Sequence, residues 1–142
     1  MTKFPPNTPQ ELLTRLADGG GELPRSMGIE FIELSPEYSV ATMPVDGNRQ
    51  VVGLLHGGAH VVLGESLGSI SSALHGGVGR YAVGIEINAT HSRSITEGLV
   101  TGTCRALVLG RTLCTHEIVM TDDQGRRLST VRMTNMLRDV EH

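Results

Sequence analysis

The chain has 142 residues, of which 39% are hydrophobic and 19% charged, with a formal net charge of -3. That length fits one ordinary domain, and the balance excludes both a disordered chain and the basic footprint of a nucleic-acid binder. Only 3% of the residues are aromatic and none is Trp, so the core must be aliphatic, stacking platforms for single-stranded nucleic acid are missing, and a small molecule or a protein is the expected partner.

Met1 to Gln10 is polar and proline-rich, unlike a secretory leader, and Cys104 and Cys114 do not form a CxxC pair. A reducing, cytoplasmic setting is expected. No apolar run approaches the roughly 20 residues that cross a bilayer, so no membrane partner is expected. Thr8-Pro9-Gln10-Glu11 reads as a capping box with Pro at the first helical position. Leu12, Leu13 and Leu16 follow at helical spacing until Gly19-Gly20-Gly21, which makes residues 1–22 a helical extension. From Met27 to Val45, apolar and polar residues alternate around Ser35-Pro36-Glu37, the pattern of two strands and a tight turn.

After Gly53 the period changes to about 3.6. From His56 to Leu74, the residues Ala59, Val62, Leu63, Leu67, Ile70, Ala73 and Leu74 form one stripe. The opposite face carries Gly58, Val61, Glu65, Gly68, Ser69 and Ser72, small enough for another backbone to approach closely. This predicts one long buried helix with Glu65 as its lone carboxylate, ended by His75-Gly76-Gly77. The rest is strand-like: Tyr81 to Ala89, Leu99 to Leu109, Arg111 to Met120 and Leu128 to Leu137, with Asp122-Asp123-Gln124-Gly125 as a turn. Two early strands, one helix and a four-stranded antiparallel meander predict a single α+β domain whose sheet covers the helix. A β-rich domain this small buries only part of its surface alone, so at least a dimer is expected.

Chemistry concentrates between Gln50 and Ser69. Gly57 and Gly58 at a helix N-terminus offer unpaired N–H groups and the positive end of the helix dipole to an oxyanion or a polarised carbonyl. Glu65, two turns on, could attack a thioester carbonyl or activate water for that attack. The thiolate leaves readily, so one carboxylate and one electrophilic helix end can suffice. Competing readings are weaker. His56 and His60 are four apart, but the HExxH glutamate and a third ligand are missing, so no metal is expected. Gly64-Glu65-Ser66-Leu67-Gly68 satisfies G-x-S-x-G, yet Ser66 falls inside a continuous helical pattern rather than at a strand-to-helix turn. His60 and His75 read as ordinary polar positions, and Cys104 and Cys114 as small packing residues on neighbouring strands.

His56-Gly57-Gly58-Ala59, Gly64-Glu65-Ser66-Leu67-Gly68-Ser69 and Gly84-Ile85-Glu86-Ile87-Asn88-Ala89-Thr90-His91 resemble hotdog-fold thioesterases of the phenylacetate-degradation and 4-hydroxybenzoyl-CoA type. The resemblance runs from about Gly28 to Leu137 and is closest to the branch containing the enterobactin-pathway proofreading thioesterase and the 1,4-dihydroxy-2-naphthoyl-CoA thioesterase. It implies an antiparallel sheet wrapped around one central helix, dimers paired into a dimer of dimers, sites shared between subunits, an acyl-CoA substrate and no cofactor. It further implies Glu65 as nucleophile or general base and the Gly57 N–H as the group polarising the thioester carbonyl. Gln50 and His56 would orient substrate from the subunit opposite Glu65, Ser69 would position water or the carboxylate, and His91 would meet an aromatic acyl group. Arg93, Ser94, Gly110, Arg111 and Thr112 match positions that hold the CoA phosphates and pantetheine. A non-catalytic acyl-CoA sensor and a hotdog dehydratase are the alternatives. Thiol release from acyl-CoA and hydration of enoyl-CoA separate the three.

Overall fold

The computed structural model describes residues 1–141, and its first helix, α1 (Gln10–Leu16), lies where the leucine spacing predicts. The capping box does not form. Pro9 takes the cap position, outside the helix, without a side-chain hydrogen bond, because the Thr8 hydroxyl donates instead to the Pro5 carbonyl at 2.7 Å. After the glycine triplet comes a second helix that the sequence pattern does not announce, α2 (Glu22–Ser26), only five residues long with Pro24 inside it. A segment that short shows no apolar period.

β1 (Glu30–Glu33) and β2 (Tyr38–Pro44) form the predicted hairpin. Ser35 closes its turn by accepting from the Tyr38 N–H at 3.0 Å and donating to the Tyr38 carbonyl at 2.6 Å. The long helix, α3 (Gly57–Gly76), follows, and then β3 (Arg80–His91), β4 (Leu99–Leu109), β5 (Leu113–Thr121) and β6 (Arg127–Asp139). All pairings are antiparallel, in the order β1-β2-β4-β5-β6-β3. The four-stranded meander is therefore corrected to three strands, β4 to β6. Because β4 pairs with β2 over Tyr38–Pro44 and joins the hairpin to the meander, β3 is left at the far edge with β6 as its neighbour. That edge is twelve residues long and exposes Tyr81, Val83 and Ile85.

One face of the sheet wraps α3, which contacts every strand from β2 to β6. Leu63 and Leu67 are fully buried in one cluster with Met43, Ile118, Met120 and Met133. Cys104 and Cys114 are buried and unpaired on adjacent strands, as their packing role requires. The helix comes this close because residues without bulk line the contact. A methyl group on Gly64 would stand 2.7 Å from Val131 Cγ1, one on Gly68 3.0 Å from Met133 Sδ, and one on Gly102 of β4 3.0 Å from Leu67 Cδ1. Ser71 adds a buried hydroxyl pair with Ser39 of β2 at 2.7 Å. The apolar stripe at Leu63 and Leu67 and the small residues Gly64, Gly68 and Ser71 beside it thus meet the sheet together, with Glu65 at the outer margin of the contact.

Helix propensity alone would make Gly64→Ala stabilising by about 1 kcal/mol. The contact with Val131 reverses the sign: a loss of about 1–3 kcal/mol is expected from urea denaturation, the usual penalty of an overpacked core.

Candidate active site

The start of α3 is fixed by the loop before it. Asn48 ties this loop down by donating to the Met27 and Pro44 carbonyls, both at 2.8 Å, and its own carbonyl accepts from the His56 N–H at 2.9 Å. His56 caps the helix: its Nδ1 accepts from the Gly58 N–H at 2.8 Å, so the ring proton sits on Nε2. This corrects the expectation of two free amides. The Gly58 N–H is taken, and only the Gly57 N–H has no partner among the described residues. Glycine at position 57 lets His91 stand over the helix start, because an added Cβ would lie 2.8 Å from His91 Nε2 and displace the ring.

His91, the last residue of β3, has its Nδ1 2.9 Å from Ser129 Oγ. With the Ser129 hydroxyl proton on the Thr90 carbonyl at 3.2 Å, His91 Nδ1 is the donor of that pair. Its Nε2 then presents a lone pair over Gly57. The Gln50 Oε1 accepts from the Val52 N–H, which leaves the Gln50 NH₂ group as the free donor. Gln50, Gly57, His60, His91, Arg93 and Ser94 line one hollow of about 350 Å³. His60 is not the ordinary polar position its sequence suggests. It is 4% exposed, its ring lies 5.3 Å from that of His91, and its Nδ1 has no partner among the described residues. Burial, reinforced by the charge that His91 can carry, lowers its pKa to about 4.

Glu65 lies elsewhere, roughly 12 Å along the helix from Gly57 at 1.5 Å per residue. The expected dry setting is not found within one chain: Glu65 is exposed. The reason is its place at the margin of the helix–sheet contact, beside the open edge strand. Gly84 of β3 lies beside it: a methyl group there would come 2.7 Å from Met133 Cε and into ordinary contact with Glu65 Oε2 at 3.7 Å and Asn135 Oδ1 at 3.8 Å. A bulge between Gly84 and Glu86 interrupts the pairing at this point, a feature often found beside active sites. Ser69, one turn on, donates to Asn135 Oδ1 at 3.2 Å, which leaves its lone pairs toward the hollow. Two shallow hollows flank the carboxylate, of about 260 Å³ over Gly84 and Met133 and about 290 Å³ between α2 and Ser69. Ser66 takes no part as a nucleophile: it lies inside α3 and donates to the Val62 carbonyl at 2.7 Å.

The single chain therefore gathers Gln50, Gly57, His91, Arg93 and Ser94 in one place and Glu65 with Ser69 in another. Gly110, Arg111 and Thr112 join neither. They form the β4–β5 turn near the far end of α3, where His75 Nε2 meets the Gly110 carbonyl at 2.9 Å and the Arg80 guanidinium donates to the Arg111 carbonyl at 2.5 Å. Asn135 and Ser129 were findable in the sequence as polar residues at inward positions of an alternating strand. His60 and Gly84 gave no such signal.

A sheet wrapped round one helix, with a carboxylate two turns beyond an amide-presenting helix start, defines a hotdog-fold enzyme. The chain belongs to the thioesterase superfamily, whose profile matches residues 52–129. It is 45% identical over 115 residues to the proofreading thioesterase EntH of Cronobacter turicensis, covering 80% of this chain and 84% of that one. Among solved structures, a thioesterase from Haemophilus influenzae superposes with a TM-score of 0.84 at 31% identity, over 96% of this chain and 95% of the other. A mutant thioesterase from Pseudomonas aeruginosa gives 0.82 at 38%, over 95% and 98%. The protein is a thioesterase, and no helix among the described residues is long and apolar enough to cross a membrane.

The buried His60 sets a pH dependence of stability. Its folded pKa, about 4, lies below the ordinary 6.5, so the unfolded chain binds the extra proton first and stability is lost as pH falls from about 6.5 toward 4. His116, buried on β5 with its pKa lowered chiefly by desolvation, acts in the same direction. Moving from pH 7.5 to pH 5 is expected to cost about 2 kcal/mol through His60, and His60→Gln should flatten the urea-midpoint curve over this range.

Proposed function

We propose that the protein hydrolyses aromatic or hydroxyaromatic acyl-CoA thioesters, such as 1,4-dihydroxy-2-naphthoyl-CoA or hydroxybenzoyl-CoA, at a site completed between two protomers. The observation that carries this reading is the division of the chain into two halves. One half has an electrophilic helix start without a carboxylate, and the other a carboxylate without an oxyanion donor. Pairing two copies through the exposed edge of β3, where Tyr81, Val83 and Ile85 stand open beside Glu65, sets the Glu65 of one protomer opposite the Gly57 of its partner and covers both. The same pairing supplies the exclusion of water that the isolated chain lacks.

In such a site the Gly57 N–H, at the positive end of α3, donates to the thioester oxygen and stabilises the negative charge that grows on it. The Gln50 NH₂ group and His56 Nε2–H are the donors that orient the substrate. Glu65 then acts in one of two ways. As a general base it takes a proton from water while the water oxygen bonds to the carbonyl carbon, and the tetrahedral oxyanion collapses with release of CoA thiolate, which receives the proton. As a nucleophile it bonds to that carbon itself and expels the thiolate, and water cleaves the resulting mixed anhydride. Ser69, one turn beyond, holds the water in either case. His91 Nε2, an acceptor when Nδ1 donates to Ser129, suits a hydroxyl on an aromatic ring. Arg93 and Ser94 lie at the same hollow for the CoA phosphates, and Gly110, Arg111 and Thr112 would reach the nucleotide only from another subunit of a dimer of dimers. The likeness of the three motifs to thioesterases of the 4-hydroxybenzoyl-CoA type supports an acyl group of this kind. A cytoplasmic location fits the two unpaired cysteines.

Glu65→Ala is expected to lower turnover of hydroxybenzoyl-CoA, followed by thiol release, at least 100-fold; retention of more than about a tenth of wild-type turnover would remove Glu65 from the chemistry. Gly57→Ala is expected to lower kcat by 10-fold or more while leaving the fold intact by circular dichroism, since its methyl group displaces His91 from the helix start.

A further inference from the structure

A hollow of about 900 Å³, larger than those at Gln50 and Glu65, lies outside the site described above and is bordered by the N-terminal segment. Met1 to Phe4 runs beside β1, with the Lys3 N–H donating to the Ile32 carbonyl and the Leu34 N–H to the Lys3 carbonyl, both at 2.9 Å. The Thr2 hydroxyl adds a bond to the Phe31 carbonyl at 2.7 Å. This strip and α1 form sides of the hollow along β1, and Phe4, Leu13, Leu16, Ile29, Phe31 and Ile70 make most of the lining apolar.

Ile70 lines this cavity and also the smaller hollow that contains Glu65 and Ser69. Gly20 lines the Glu65 hollow, and a Cβ added to it would meet Phe31 Cε2 at 2.8 Å and Ile70 Cδ1 at 3.6 Å, two side chains that line the larger one. The partition between the two spaces then comes down to these side-chain ends, which reorient on fast timescales.

We propose that the N-terminal cavity is the distal part of the acyl pocket, entered from the Glu65 hollow past Gly20, and that it takes the apolar far end of acyl groups longer than a single ring. This rests on the thioesterase reading of Glu65 and extends it to the shape of the substrate. A thioester with its carbonyl at Glu65, one ring edge toward the partner's His91 and its para position along Val62 and Ile70 has this space ahead of it. Each methylene that enters is worth about fourfold in kcat/KM, from the free energy of burying one CH₂ group. The segment of residues 1–20 then sets substrate length without touching the reacting atoms.

Benzoyl-CoA and 4-butylbenzoyl-CoA test this, since the para chain points away from the carbonyl. The wild-type protein should cleave the butyl ester with a kcat/KM at least tenfold higher. Ala17→Trp, which places an indole in the cavity from the exposed C-terminal end of α1, should lower kcat/KM for the butyl ester at least tenfold and leave benzoyl-CoA within twofold. Phe31→Ala, which opens the partition, should raise the butyl ester alone. Leu13→Phe serves the same purpose as Ala17→Trp if the latter melts early. Equal wild-type rates on the two esters, or parallel losses in a folded filling variant, overturn the cavity proposal alone. A wild-type protein that cleaves neither overturns the acyl-CoA reading beneath it as well.

Discussion

The close seating of α3 against the sheet is the constraint on which the site depends. Gly64 and Gly68 meet Val131 and Met133 of β6, Gly102 of β4 meets Leu63 and Leu67, and none of these contacts leaves room for a further methyl group. Interiors packed to this density do not let a helix rotate or slide by small amounts. Once the glycine face is down, the rest is decided: Gly57 lies at the sheet end nearest His91, and Glu65 points out beside Gly84 at the open edge. Packing, rather than any local hydrogen bond, aims the carboxylate.

The polar groups around this frame divide by task. His56, Asn48, Ser129 and Ser35 are bound to backbone, and each fixes the conformation of a loop or of a ring. Around the site the groups left with unused capacity are the Gly57 N–H, the Gln50 NH₂, the His56 Nε2–H, His60 Nδ1, His91 Nε2 and the Glu65 carboxylate. That they fall into two clusters rather than one gives the exposed β3 edge its meaning. An apolar edge strand of twelve residues invites pairing with another strand, and an exposed carboxylate beside it becomes a buried one when that pairing occurs.

The fold was largely legible because its main signals are periodic. The 3.6-residue stripe from Ala59 to Leu74 and the two-residue alternation of the strands give the helix, the hairpin and the strand count directly. The order of the strands was not legible in the same way, since β3 alternates as well as β4 does and nothing in either sequence states which neighbour it takes. The capping box failed for a local reason, because Pro5 offered Thr8 a competing carbonyl. Glu65 was findable as the one charge on a helix of small and apolar residues, but its exposure was not, because a pattern along one chain does not record which surface a second chain covers. His60 was passed over because histidine is polar by type, and only the packing shows it pressed against His91.

The central claim is that catalysis needs Glu65 from one protomer and the Gln50–Gly57 helix start from another. Mixing two inactive variants tests this most directly. Glu65→Ala and Gln50→Ala chains, unfolded together and refolded at equal concentration, pair at random, and half of the mixed dimers' sites carry neither defect. The account predicts recovery to about a quarter of wild-type thiol release on hydroxybenzoyl-CoA, as two-fold symmetry requires. A refolded mixture no more active than the two variants refolded apart would contradict it and return both halves of the site to a single chain.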